Sequence, residues 1–140
     1  MKRLGIVLAI VLASLATQVS AANHWADVTI PAARSCTGTL GSTSVSMKLQ
    51  QVDYTLFFEA VVSITNNGTA GGCVIVDMPT PYITARGDFI LAGRENQYTG
   101  RMLQAYIPNG GASFYILDYA NGYPGCSGCV LIFSGVLQVN

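Results

Sequence analysis

Few side chains in this chain have the type and spacing for covalent chemistry, and each has a clear structural reading. Cys126-Ser127-Gly128-Cys129 has the CxxC spacing of redox dithiols. Redox use calls for a helix N-terminus beside the first sulfur, which lowers its pKa. Here the flanks are Tyr123-Pro124-Gly125 and the strand-like run Val130-Leu131-Ile132-Phe133, so the motif reads as disulfide material. Cys36 and Cys73 bring the count to four cysteines. Four cysteines allow three pairings, and the spacing does not choose among them. Cys36–Cys73 would leave Cys126–Cys129 as a tight clip, whereas the other pairings would tie the C-terminal strand to earlier ones. A zinc site would favour a second CxxC, which is missing, so no metal site and no cofactor are expected.

His24 is the only histidine and lies where chains commonly fray. A serine–histidine triad would have to use it. Asp53, Glu59, Asp77, Asp88 and Asp118 supply carboxylates for a glycosidase pair, and Glu59 interrupts an otherwise apolar strand face. Solvated or edge-facing acids are the simpler reading, and no catalytic residue is assigned. Arg86-Gly87-Asp88 matches a short attachment tripeptide but reads as a turn. Asn67-Gly68-Thr69 is formally a glycosylation acceptor.

Recognition is the better prospect. Seven tyrosines offer apolar faces with polar handles, which suit binding surfaces. Tyr119 and Tyr123 flank Asn121-Gly122, so Tyr119, Asn121 and Tyr123 form the candidate binding loop.

The positioning elements read as strands. Residues 1–22 run from Met1-Lys2-Arg3 through an apolar stretch to Val19-Ser20-Ala21-Ala22, the layout of a cleavable signal peptide. The apolar stretch is shorter than a membrane span. The expectation is export, to the medium or a periplasm, with cleavage after Ala21 or Ala22 and no membrane contact afterwards. Residues 23–140 then form a single disulfide-containing domain. They keep five basic residues (Arg34, Lys48, Arg86, Arg94, Arg101) against seven acidic ones, a net charge of −2. That excludes the basic patch a nucleic-acid partner requires.

Residues 28–31 read as a short strand ended by proline, and 33–44, rich in Gly, Ser and Thr, as loop. Residues 45–49 alternate with the period of a half-buried strand. Residues 54–64 place Tyr54, Leu56, Phe58, Ala60, Val62 and Ile64 on one face, and their β-branched and aromatic content favours a strand over a helix. The turn Asn66-Asn67-Gly68-Thr69 then suggests a hairpin with the strand over 73–78. Further strands are expected at 82–84, 89–91, 101–107, 113–119 and 129–139. Eight or nine strands with no βα alternation indicate an all-β antiparallel sandwich, jelly-roll-like.

The order of features over 54–140 resembles the C-terminal β-rich domains of phage tail-fibre-like proteins. The parallels are the long apolar strand 54–64 and the glycine-rich turn 66–72. Then come Val74-Ile75-Val76-Asp77-Met78-Pro79, Ile107-Pro108-Asn109-Gly110, the aromatic strand 114–119 and Leu131-Ile132-Phe133-Ser134-Gly135-Val136. The resemblance implies a jelly-roll-like sandwich, a homotrimer and recognition of a surface glycan or protein. The signal peptide and the four cysteines depart from that pattern. The functional expectation is a secreted, non-enzymatic binding module. The alternative is a structural, self-assembling exported protein without a small-molecule ligand.

Overall fold

The computed structural model of the protein describes residues 25–79 and 85–140. The leader 1–22, His24 and the strand expected at 82–84 lie outside them. Nine antiparallel strands form among the described residues: β1 (Ala26–Ile30), β2 (Arg34–Thr37), β3 (Thr43–Val52), β4 (Thr55–Ile64), β5 (Gly71–Asp77), β6 (Phe89–Glu95), β7 (Met102–Ile107), β8 (Ser113–Asp118) and β9 (Cys129–Gln138). They make one sheet in the order β1-β3-β4-β9-β6-β7-β8-β5-β2.

That sheet curls into an open half-barrel. Between β4 and β8 lie β9, β6 and β7, so a flat sheet would hold them about 19 Å apart. Yet Phe58 of β4 and Phe114 of β8 have ring centroids 5.1 Å apart, and Phe133 of β9 packs edge-on against both at 5.9 and 5.4 Å. These three rings, with Leu56, Val62, Ile107, Ile116 and Leu131, fill the concave side and are essentially inaccessible. Tilted and edge-to-face rings at such distances add to the area they bury.

The alternation in β4 holds from Leu56 onward: Leu56, Phe58, Ala60, Val62 and Ile64 point inward, while Glu59 lies on the exposed face in register with Lys48 and Ser134; Tyr54, expected on the inward face, instead sits in the turn before the strand and is exposed. Three further expectations need correction. Residues 34–37, read as loop, form edge strand β2 against β5, because a tertiary partner and the Cys36–Cys73 bridge outweigh weak local propensity. β4 and β5 are not a hairpin: β4 pairs with β3 and β9, whereas β5 pairs with β8 and β2. The turn after β4 docks instead on the loop before β3. Ser42 N–H donates to Asn66 O, and Thr69 N–H to Thr39 O. Gly68 fits there at φ +57°, where a Cβ would sit 2.5 Å from the Thr39 carbonyl. Finally, the strand expected over 89–91 extends to Glu95.

The edge strands β1 and β2 are consecutive in the chain. Only Pro31-Ala32-Ala33 separates them. Four Cα steps reach at most about 15 Å, so the sheet's two edges converge at that end.

Candidate binding site

The cysteines are paired as Cys36–Cys73 and Cys126–Cys129, with Cα atoms 5.0 and 5.2 Å apart. The second pair closes a turn in which Cys129 N–H donates to Cys126 O just ahead of β9. No helix adjoins it. Among the described residues, no group of three His, Cys, Asp or Glu side chains could hold a metal ion, and no helix is long and apolar enough to cross a membrane.

The three residues of the candidate loop take separate places. Tyr119 is 59% exposed. Asn121 adopts φ 60°, a conformation Asn tolerates better than most residues, and its Oδ1 accepts from Gln104 Nε2 at 2.6 Å. Tyr123 is partly buried, packing against the core, and its hydroxyl donates to Asn67 Oδ1 at 2.6 Å. Burial pushes its phenol above the usual range. The loop itself is shaped by Asp118, whose Oδ1 accepts from Ala120 N–H at 3.0 Å and Gly122 N–H at 2.6 Å.

The Tyr123–Asn67 bond also engages the glycosylation acceptor: Asn67 is half-buried, and Thr69 Oγ1 accepts from Thr39 N–H. In the attachment tripeptide, the Arg86 guanidinium lies 5.1 Å above the Tyr54 ring. Asp88 accepts from Asn109 N–H at 2.9 Å and from the Tyr106 hydroxyl at 3.2 Å. Both charged side chains of the tripeptide therefore have partners within the protein.

Two open hollows lie on the outer face. One, of about 370 Å³, is lined by Arg101, Met102, Asp118, Tyr119 and Ala120. The other, of about 400 Å³, is lined by residues of β6 and β9 together with Asn96 and Met102. They share Met102, and the register explains why. Val61, Ile132, Arg94 and Met102 stand in one cross-strand row on β4, β9, β6 and β7, and Tyr119 follows at the end of β8. Arg101 reaches the first hollow with its Nη1 3.4 Å from Asp118 Oδ2. An aromatic face beside a charged pair can stack on one side of a ring and hydrogen-bond its edge. Arg94, Arg101 and Met102 were not singled out from the sequence. Their signal was the outward face Met102, Gln104, Tyr106, but nothing local indicates which outward face a loop will border.

Glu95 is a second arrangement that sequence reasoning missed. It is fully buried at the end of β6. Oε1 accepts from the amides of Gln97 at 2.8 Å and Tyr98 at 3.1 Å. Oε2 accepts from the amides of Tyr98, Thr99 and Gly100 and from the Thr99 hydroxyl. Burial alone would raise this carboxyl, but the surrounding N–H donors win and hold it near a pKa of about 2. The sequence signal is an acid ending an apolar strand, followed by a short polar turn that closes with glycine. The carboxylate organises the β6–β7 turn, which borders the second hollow.

Compared with family models, curated proteins and solved structures, the chain matches none.

Proposed function

We propose that this protein is an exported, non-enzymatic binding module that recognises a surface glycan at the Tyr119 hollow. The observation carrying the reading is the set Arg101, Met102, Asp118 and Tyr119 around one open concavity. Sugar rings have C–H-rich faces and hydroxyl edges. Tyr119 offers the stacking surface, and the Arg101–Asp118 pair offers a donor and an acceptor for hydroxyls. A jelly-roll-like sandwich of the kind seen in tail-fibre domains is the finer fold reading, and it agrees with a receptor-binding role. A glycan array probed with the purified protein and with Tyr119→Ala tests the assignment. Binding that falls at least tenfold in the variant supports it; no glycan signal, or an unchanged one in Tyr119→Ala, refutes it.

A second reading is self-assembly, as a homotrimer or a larger array. It rests on an outward row of Ile90, Tyr106, Tyr115 and Ile75 across β6, β7, β8 and β5, in which Ile90 is 72% exposed. Sedimentation of the protein and of Ile90→Glu tests it. Assembly lost in the variant supports this reading, and a monomer at all concentrations refutes it.

A further inference from the structure

We infer that the glycan is acidic: a carboxylate-bearing sugar whose charge is read by Arg94 while its ring packs along Met102 toward Tyr119. The inference rests on the glycan-binding reading and deepens it.

The basic side chains with a place in the fold are Arg34, paired with Asp77; Arg101, paired with Asp118; and Arg86, over Tyr54. Arg94 is exposed, and among the described residues no carboxylate lies within ion-pair distance of it. Lys48 is likewise without an ion pair, but it faces Asp27 and Glu59 across its neighbouring strands and borders neither hollow. Arg94 instead stands between Ile132 and Met102 in register and lines the second hollow.

The acid nearest in sequence, Glu95, points to the other side of the strand and is saturated by backbone donors. Asp118 pairs through Oδ2 with Arg101, not with Arg94, while its Oδ1 holds the loop. The two neighbouring hollows, which share Met102, thus present a guanidinium without an ion pair, lying against Gly100 of the β6–β7 turn beside an apolar floor, in a domain that is acidic overall. A guanidinium fork matches the two oxygens of a carboxylate, and the apolar floor matches the face of a ring. From Ile132 to Tyr119 the row crosses about three strand spacings, roughly 14 Å. That is room for a short oligosaccharide rather than a single sugar.

The test uses oligogalacturonate, oligomannuronate and sialyllactose, each beside its methyl ester, which keeps the ring and removes the charge. These are titrated into the purified protein and into Arg94→Gln and Tyr119→Ala, with a neutral glycan array in parallel. The expected result is at least one acid bound tenfold or more tighter than its ester. Arg94→Gln then brings the acid down to the ester's level, Arg94→Lys restores part of the preference, and Tyr119→Ala weakens acid and ester together. Added salt weakens the acid selectively. Equal binding of acid and ester, binding of neutral glycans only, or a preference that survives in Arg94→Gln overturns the acidic assignment; where that binding depends on Tyr119, the glycan reading stands. Absence of any glycan binding overturns both. Arg94 is a surface residue, and an unchanged melting temperature in Arg94→Gln confirms that the comparison reads binding.

Discussion

Replacing Glu95 by glutamine keeps the shape of the side chain and removes its charge, so it isolates what the carboxylate does for the β6–β7 turn. The native group is fully buried and meets the amides of residues 97 to 100 and the Thr99 hydroxyl. Its pKa falls from 4.5 to about 2. At about 1.4 kcal/mol per pH unit, that drop corresponds to about 3 kcal/mol of stability. The sign follows from the direction. Because the folded pKa lies below the unfolded one, the contribution is complete above about pH 4.5 and is lost as pH falls through about 2. Glutamine forfeits it at every pH and also turns an NH₂ group toward N–H donors. Urea unfolding at pH 7 should therefore show Glu95→Gln less stable by about 3 kcal/mol or somewhat more, equivalent to roughly 10 °C or more in Tm for a domain of this size. At pH 2 the gap to the wild type should narrow markedly. A difference under 1 kcal/mol at pH 7, or one of equal size at pH 2, would refute the account.

Other perturbations separate the remaining supports. Loss of the Cys36–Cys73 bridge, whose partners are 37 residues apart, should cost about 4 kcal/mol by the chain-entropy account, and loss of Cys126–Cys129, three apart, about 2; thermal unfolding of the paired alanine variants would expose a reversed order. Phe133→Ala removes the ring that packs edge-on against both Phe58 and Phe114 and should cost about 3–5 kcal/mol in denaturant unfolding, so a loss below 1 kcal/mol would contradict the curled core. Gly93→Ala places a Cβ 2.5 Å from the Ile132 carbonyl and 2.8 Å from Phe133 Cβ; it should destabilise by about 1–3 kcal/mol, and a neutral melting curve would count against the β6–β9 pairing. Tyr123→Phe should cost about 1 kcal/mol through the lost Asn67 bond while leaving glycan binding as it was; a tenfold loss of binding would return Tyr123 to the site.

What the sequence made legible was whatever one strand can reveal by itself. β4 announced its buried face because alternation is local and the core is continuous beneath it. The same holds for β3. Pairing was less legible. The Asn66-Asn67-Gly68-Thr69 turn correctly marks a reversal, but a turn does not say which strand lies beside the next one, and β5 crosses to the far part of the sheet. β2 was hidden because Arg34-Ser35-Cys36-Thr37 becomes a strand only against β5. The four cysteines were recognisable as disulfide material, whereas their pairing required the juxtaposition of β2 and β5. At the proposed site, Tyr119 was legible from its place beside Asn121-Gly122. Arg94 and Met102 were not, because the row that joins them to Ile132 and Tyr119 runs perpendicular to the chain. Glu95 looked like any polar residue at a strand end, since its partners assemble only when the turn folds around it.

The position of β9 carries one last consequence. The final described strand is paired along its length with β4 on one side and, through Leu131, Ile132 and Phe133, with β6 on the other, so it sits inside the sheet rather than at its rim. A chain emerging from its N-terminus must hold eight strands before the one that joins them arrives. Until then β1-β3-β4 and β6-β7-β8-β5-β2 are two fragments without a shared seam. Completion waits on long-range contacts, the kind that make folding slow. Removing β9 would therefore leave two sheet fragments with no hydrogen-bonded seam between them.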